Sequence, residues 1–176
     1  KQRVAMQLRR GDEVSFDLLD LEPGQYVRSG TYQTNIDFVA GGQNLGTLLL
    51  NVIVSPTVRL FGAADSGNID LDLGRLNDGV SAQQSIYFRS NAQVSLQVTA
   101  DNAGMLVLER GRPVGASAYQ SRINGATIRT ASPADVSLGG FSGQLAEVRF
   151  GVDIAPVRSA FAGIYRDVIT MSFTAF

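Results

Sequence analysis

The sequence predicts an all-β protein, an antiparallel sandwich of short strands. Three observations carry that expectation. First, apolar residues recur with a period of two: Tyr165, Ile169, Met171 and Phe173 fall on one face, and Thr170, Ser172 and Thr174 fall on the other. This is the pattern of a strand with one buried side. Second, turn chemistry interrupts these runs at short intervals, through Gly, Asn-Gly, Gly-Gly and Pro-Gly. Third, no segment carries the 3.6-residue period of a convincing amphipathic helix.

The elements follow in order. Residues 3–8 place Val4, Met6 and Leu8 on one side of a short strand, and Arg9-Arg10-Gly11-Asp12 turns the chain. Val14, Phe16 and Leu18 are the apolar series of a second strand. It is broken at Glu22-Pro23-Gly24, where proline removes a donor and glycine permits a positive φ. Residues 31–40 form a third strand, with Tyr32, Ile36 and Phe38 on its inner face, and Gly41-Gly42-Gln43-Asn44 turns again. Residues 45–54 are almost continuously apolar, as expected of a strand covered on both sides or joining two sheets. Ser55-Pro56 reads as a seam. Beyond it, short strands are expected around Val58–Leu60, at Ile69-Leu71-Leu73, over residues 85–88, 94–98 and 105–108, and in two closing segments. Asn124-Gly125 is the strongest hairpin signal, because both residues tolerate the positive φ of a type I′ turn. Residues 131–143, rich in Ser, Gly and Pro, read as a loop.

Part of the text occurs twice. Glu13-Val14-Ser15-Phe16, Asp20, Pro23 and Gly30-Thr31-Tyr32 are echoed by Glu147-Val148-Arg149-Phe150, Asp153, Pro156 and Gly163-Ile164-Tyr165, about 133 positions later. The echo predicts a repeated strand–loop–strand unit. Residues 55–176 hold enough strands for one immunoglobulin-like sandwich. Residues 1–54 are then the C-terminal strands of an upstream immunoglobulin-like unit whose front half would lie before Lys1, or strands that dock on the next domain. An isolated hairpin is marginally stable, so this part needs a partner.

Composition excludes several classes of chemistry. The chain has no cysteine and no histidine, which removes disulfides, thiolates, Ser-His and Cys-His mechanisms and the commonest metal ligand. A formal net charge of −1, with no block of like charge, argues against a nucleic-acid surface. No run is long enough for a membrane-spanning helix. Lys1-Gln2-Arg3 does not open a signal-peptide pattern.

The segments Ile69-Asp70-Leu71-Asp72-Leu73-Gly74-Arg75-Leu76, Ile86-Tyr87-Phe88-Arg89-Ser90-Asn91 and Ala162-Gly163-Ile164-Tyr165-Arg166-Asp167-Val168-Ile169 resemble bacterial chaperone–usher pilin domains. The likeness is to the spore-coat-U-like branch, whose members often end in a Gly-Thr-Tyr-x-Asp strand. The resemblance covers about residues 56–176. That family commonly carries a disulfide in its front strands, which this sequence does not allow.

The resemblance implies an exported structural or adhesive subunit that passes through the periplasm to a surface fibre. Its partners would be other fibre subunits or a periplasmic chaperone, which supply a missing strand by β-augmentation. Val4, Met6 and Leu8 are the candidate donor strand, although an ordinary strand of the first unit fits them better. Tyr165, Ile169, Met171 and Phe173 are the candidate subunit-pairing strand.

Other chemistry is weaker. Asp65, Asp70 and Asp72 miss a calcium-loop spacing and read as a solvated edge; Asp17, Asp20 and Glu22 read as exposed strand-end carboxylates. No catalytic constellation, metal site or cofactor motif survives, and an enzyme is not expected. The alternative is a carbohydrate-binding sandwich module of an exported protein, with Arg110, Arg112 and Tyr119 as candidate contacts to a host or surface glycan.

Overall fold

The structure, a computed structural model, describes residues 27–109, 117–140, 143–158 and 161–176. Two antiparallel strands open it, β1 (Gly30–Ala40) and β2 (Gln43–Val54), paired as a two-stranded sheet of their own. Gly41 and Gly42 join them with φ of 58° and 79°, the double positive φ of a type I′ turn. The candidate donor residues Val4, Met6 and Leu8 lie outside the described residues.

The remaining strands are β3 (Val58–Phe61), β4 (Val80–Ser90), β5 (Gln93–Ala100), β6 (Met105–Leu108), β7 (Ser117–Ile123), β8 (Ala126–Ile128), β9 (Ala134–Gly140), β10 (Ala146–Ile154), β11 (Tyr165–Arg166) and β12 (Ile169–Ala175). They build two antiparallel sheets. The larger runs β11-β6-β7-β10-β4-β3, with β8 on β7, and the smaller runs β12-β5-β9. The two apolar faces close on each other. Val94, Leu96 and Val98 of β5 and Val148 of β10 are fully buried, and the Phe88 and Phe173 rings meet across the sheets at 5.5 Å. The chain is an all-β antiparallel sandwich of the immunoglobulin-like class.

Alternation explains the buried faces. In β10, Val148, Phe150, Val152 and Ile154 point to the core, and in β12, Ile169, Met171 and Phe173 do so beside exposed Thr170, Ser172 and Thr174. Asn124 and Gly125 both take positive φ at the β7–β8 turn, as their chemistry demands. The seam is held by Asn91. Its Oδ1 accepts from the Thr57 N–H at 2.7 Å and its Nδ2 donates to the Ser55 carbonyl at 3.0 Å. The Ser29 N–H donates to the Asn91 carbonyl at 2.9 Å, which ties the start of β1 to the same corner.

Four expectations are corrected. Residues 134–140 form a strand, not a loop: β9 pairs with β5 through a bulge at Val94/Ser95 that absorbs its glycines. Ile69, Leu71 and Leu73 alternate half-buried with exposed Asp70 and Asp72, yet this segment joins no ladder. The β2 strand is not covered on both sides, since Leu45 and Ile53 are 70 % and 77 % exposed. The closing segment is also split. Tyr165 pairs with Leu108 in the larger sheet, whereas Ile169 pairs with Ala100 in the smaller one.

The two Gly-x-Tyr motifs adopt the same geometry. Gly30 and Gly163 have φ of 148° and 152°, and each tyrosine hydroxyl donates to the carbonyl four residues back: Tyr32 to Arg28 at 2.7 Å and Tyr165 to Phe161 at 3.1 Å. A tyrosine bonded back across a corner is a hallmark of immunoglobulin-like sandwiches.

Two substitutions test this account. Leu96→Ala is expected to lower the unfolding free energy by about 2–5 kcal/mol in urea titration. Gly163→Ala is expected to cost about 1–3 kcal/mol, because its φ disfavours any side chain and a Cβ there would collide with Leu108.

Candidate functional site

The smaller sheet ends at β12, and among the described residues no strand pairs with the other edge of β12. The direction of its free groups follows from the pairing with β5. Asp101 N donates to Val168 O at 3.0 Å, and Phe176 N donates to Gln93 O at 3.0 Å. Antiparallel bonding alternates along a strand. Val168, Thr170, Ser172, Thr174 and Phe176 therefore bond toward β5, and the N–H and C=O groups of Ile169, Met171 and Phe173 point to the free edge.

Across from that edge runs the unladdered segment 69–76. Between them lies a trough of about 1080 Å³, above the roughly 300–1,000 Å³ of ordinary small-ligand pockets. Its floor is the core face of the larger sheet, with Leu106, Tyr119, Phe150 and Val152 all buried. Its rims are half-buried Ile69, Leu71 and Leu73 on one side and Tyr165, Ile169 and Met171 on the other. Ile164 and Val168 stand 60 % and 59 % exposed on the second rim. The trough is thus an apolar floor bordered by the free edge of β12 and by a segment, residues 69–73, that joins no ladder among the described residues.

The corner where the chain leaves β11 for β12 is held by Asp167. One carboxylate oxygen accepts from the Asn102 N–H at 3.0 Å, the Asn102 side-chain amide at 3.1 Å and the Val168 N–H at 2.8 Å. The other accepts from the Tyr119 hydroxyl at 2.5 Å. Burial first, and then the hydrogen bond to this carboxylate, push the Tyr119 phenol well above its ordinary value near 10.

The sequence-derived candidates fall unevenly. Tyr165, Ile169 and Met171 line the trough, and Phe173 packs on Phe88. Arg110 and Arg112 lie outside the described residues. Tyr119 lies on the trough floor at 8 % exposure, with its hydroxyl on Asp167. Asp70 and Asp72 are exposed, and Asp72 accepts from the Gly74 N–H at 2.9 Å. No group of three or more metal-ligating side chains occurs among the described residues. Sequence reasoning missed Leu106, Phe150 and Val152 as the trough floor, and it missed Asp167 as the corner clamp. The floor residues read simply as core, and only the Tyr-x-Asp spacing pointed toward Asp167.

No protein-family description matches the chain, and no curated protein does. Solved structures do. One is a chain of the CsuC–CsuE chaperone–tip adhesion subunit pre-assembly complex from archaic chaperone-usher Csu pili of Acinetobacter baumannii. It matches with a TM-score of 0.50 and 16 % identity over 87 % of this chain and 62 % of that one. A chain from a chaperone–tip adhesin complex of CFA/I fimbriae biogenesis matches with a TM-score of 0.47 and 14 % identity, over 85 % and 54 %. What this chain shares with the Csu chain is the fold, an all-β sandwich. The chain spans less than two thirds of the length of either solved chain.

The Tyr119–Asp167 pair makes a pH prediction. A phenol whose folded pKa is raised contributes stability that is complete below its unfolded pKa and is lost as pH climbs from there toward the folded value. The urea midpoint is therefore expected to fall as pH rises above about 10. Tyr119→Phe should flatten that fall, while Tyr87→Phe, on the exposed face of β4, should not.

Proposed function

We propose that this chain is a structural or adhesive subunit of a bacterial surface fibre, taking up a strand from a neighbouring subunit or a periplasmic chaperone along the free edge of β12. The observation that carries the reading is the trough: inward-facing Ile169, Met171 and Phe173 turn their backbone groups toward a vacant position floored by Phe150 and Val152. Strand addition uses both features. Backbone bonds supply affinity, and alternate side chains entering the trough supply register. Each large apolar group driven from half-exposed to buried adds on the order of 1 kcal/mol.

The pilin-like fold, shared with a chain from a chaperone–subunit complex of Csu pili, supports the same reading. Such a subunit is exported through the periplasm to the cell surface, and the spore-coat-U-like motifs suggest the branch. Residues 55–176 are the strand-accepting sandwich. Residues 1–54 belong to an upstream immunoglobulin-like unit, for which the largely apolar face of the β1–β2 hairpin and its own tyrosine corner speak. Among the described residues, nothing favours the glycan-binding module over this reading.

The test is thermal. A peptide of alternating apolar residues is expected to raise the melting temperature in a saturable way, by linkage of about 2.7 kcal/mol at a hundred times its dissociation constant. Leu71→Arg, on the half-buried rim, should abolish the shift measured from the variant's own unliganded melt. Absence of a shift with every such peptide would remove strand uptake as the function.

A further inference from the structure

The same corner opens β1 and β11, and β11 continues through Asp167 and Val168 into β12 with no residue inserted; the two runs differ in what lies beside them. After Gly30-Thr31-Tyr32, β1 has a neighbour, β2. In the run that follows Gly163-Ile164-Tyr165, β12 has none on its outer edge among the described residues. Carried over by the offset of the two corners, Ile36 corresponds to Ile169, Phe38 to Met171 and Asp37 to Thr170. The faces correspond as well. In β1 and β2, Tyr32, Thr34, Ile36 and Phe38 stand opposite Val52, Leu50, Leu48 and Gly46, which makes one largely apolar face. Gln33, Asn35 and Asp37 stand opposite Asn51, Leu49 and Thr47 on the other, more polar face.

Chirality then decides which edge β2 occupies. In a two-residue type I′ turn the flanking pair, Ala40 and Gln43, is hydrogen-bonded. The register shifts by one between Phe38 and Val39, with the extra residue, Leu45, on β2, so bonding direction still alternates along β1, and Phe38 and Ile36, on the apolar face, turn their N–H and C=O groups toward β2. In β12 the apolar-face residues Ile169 and Met171 turn theirs toward the vacant edge. For L-residues, strand direction and the core-facing side together fix which edge those groups address. The edge of β1 that carries β2 is thus the edge that is empty on β12.

We infer that β2 is the in-chain counterpart of the strand that the β12 edge lacks, so that the strand taken up by the trough runs antiparallel to β12 in the register β2 holds on β1. This rests on the strand-uptake reading and specifies its ligand: an extended peptide with large aliphatic residues at the positions of Val52, Leu50 and Leu48. The Leu48 position falls opposite Ile169, and a glycine, as at Gly46, falls opposite Met171. The Thr47 position falls opposite Thr170. In β1–β2 that pair is close enough for the Thr47 hydroxyl to donate to Asp37 at 2.8 Å.

The test is register trapping, which a chain without cysteine allows directly. Thr170→Cys is made in the full chain, on the exposed face of β12. Peptides of the residue 43–54 sequence with lysine tails carry cysteine in place of Leu45, Thr47 or Leu49, and the mixture is equilibrated in a glutathione buffer. A pair that does not share backbone bonds brings Cα atoms to about 4.5 Å, within disulfide reach. The Thr47→Cys peptide is expected to cross-link about tenfold more than either neighbour. A thermal shift with the unmodified peptide, but highest cross-linking at Leu45 or Leu49, overturns the assigned register while leaving strand uptake standing. Neither shift nor cross-link with any peptide overturns both.

Discussion

Among the described residues β12 is hydrogen-bonded along one edge only, to β5, and much of the site follows from that asymmetry. A strand must alternate its backbone groups between its two edges. Because the outward-facing Thr170, Ser172 and Thr174 are committed to β5, the inward-facing Ile169, Met171 and Phe173 are left with theirs uncommitted. Those residues also contribute the apolar face that touches the core. The strand thus presents backbone polarity and side-chain apolarity to the same vacancy, which a single incoming strand satisfies at once and a small polar ligand does not. Exposed edges of this kind also template unwanted pairing. This edge is therefore partly recessed, with segment 69–76 raised as the opposite rim.

The vacancy stays open because its surroundings are pinned from below and at one end. Val94, Leu96 and Val98 are fully buried, so β5 holds β12 from the packed side. At the other end Asp167 stands where the chain passes from the larger sheet to the smaller. It accepts from Asn102, Val168 and Tyr119, which are groups on three separate elements. A carboxylate that takes several donors is well suited to a corner, because it satisfies backbone N–H groups that no ladder reaches. The glycine before it serves the same turn: Gly163 passes so near Leu108 that a side chain there would force the leucine to move.

Much of the sandwich was legible because it depends on local rules. The alternation of Ile169, Met171 and Phe173 fixes their face whatever the partner, and Asn124-Gly125 specifies its own turn. What escaped depends on pairing. Ile69, Leu71 and Leu73 alternate as a strand does, but alternation reports a buried face and not a hydrogen-bonded neighbour. Residues 134–140 carry loop composition and still form a strand, because β5 beside them offers an edge and a bulge accommodates Gly139. The aliphatic density of β2 reads as double-sided burial. In the structure it supplies one apolar face together with exposed Leu49 and Ile53 on the other. The Tyr119–Asp167 bond joins residues far apart in the chain, and no local spacing encodes it.

The hairpin and the terminal strand can be understood as two states of one design. Where β1 leads directly into β2 through Gly41 and Gly42, the neighbour is tethered by a two-residue turn. Its effective concentration is then high and pairing is unconditional. β12 has no such tether to a neighbour among the described residues, so under the proposed strand uptake its pairing would depend on the concentration and affinity of another strand. The same corner, face polarity and edge therefore serve opposite purposes. Linked in the chain they close a sheet, and left unlinked they would, on the proposed reading, make a sheet conditional on a partner. That difference lies in connectivity and not in the chemistry of the strands, which is why the closed pair can specify the geometry of the open one.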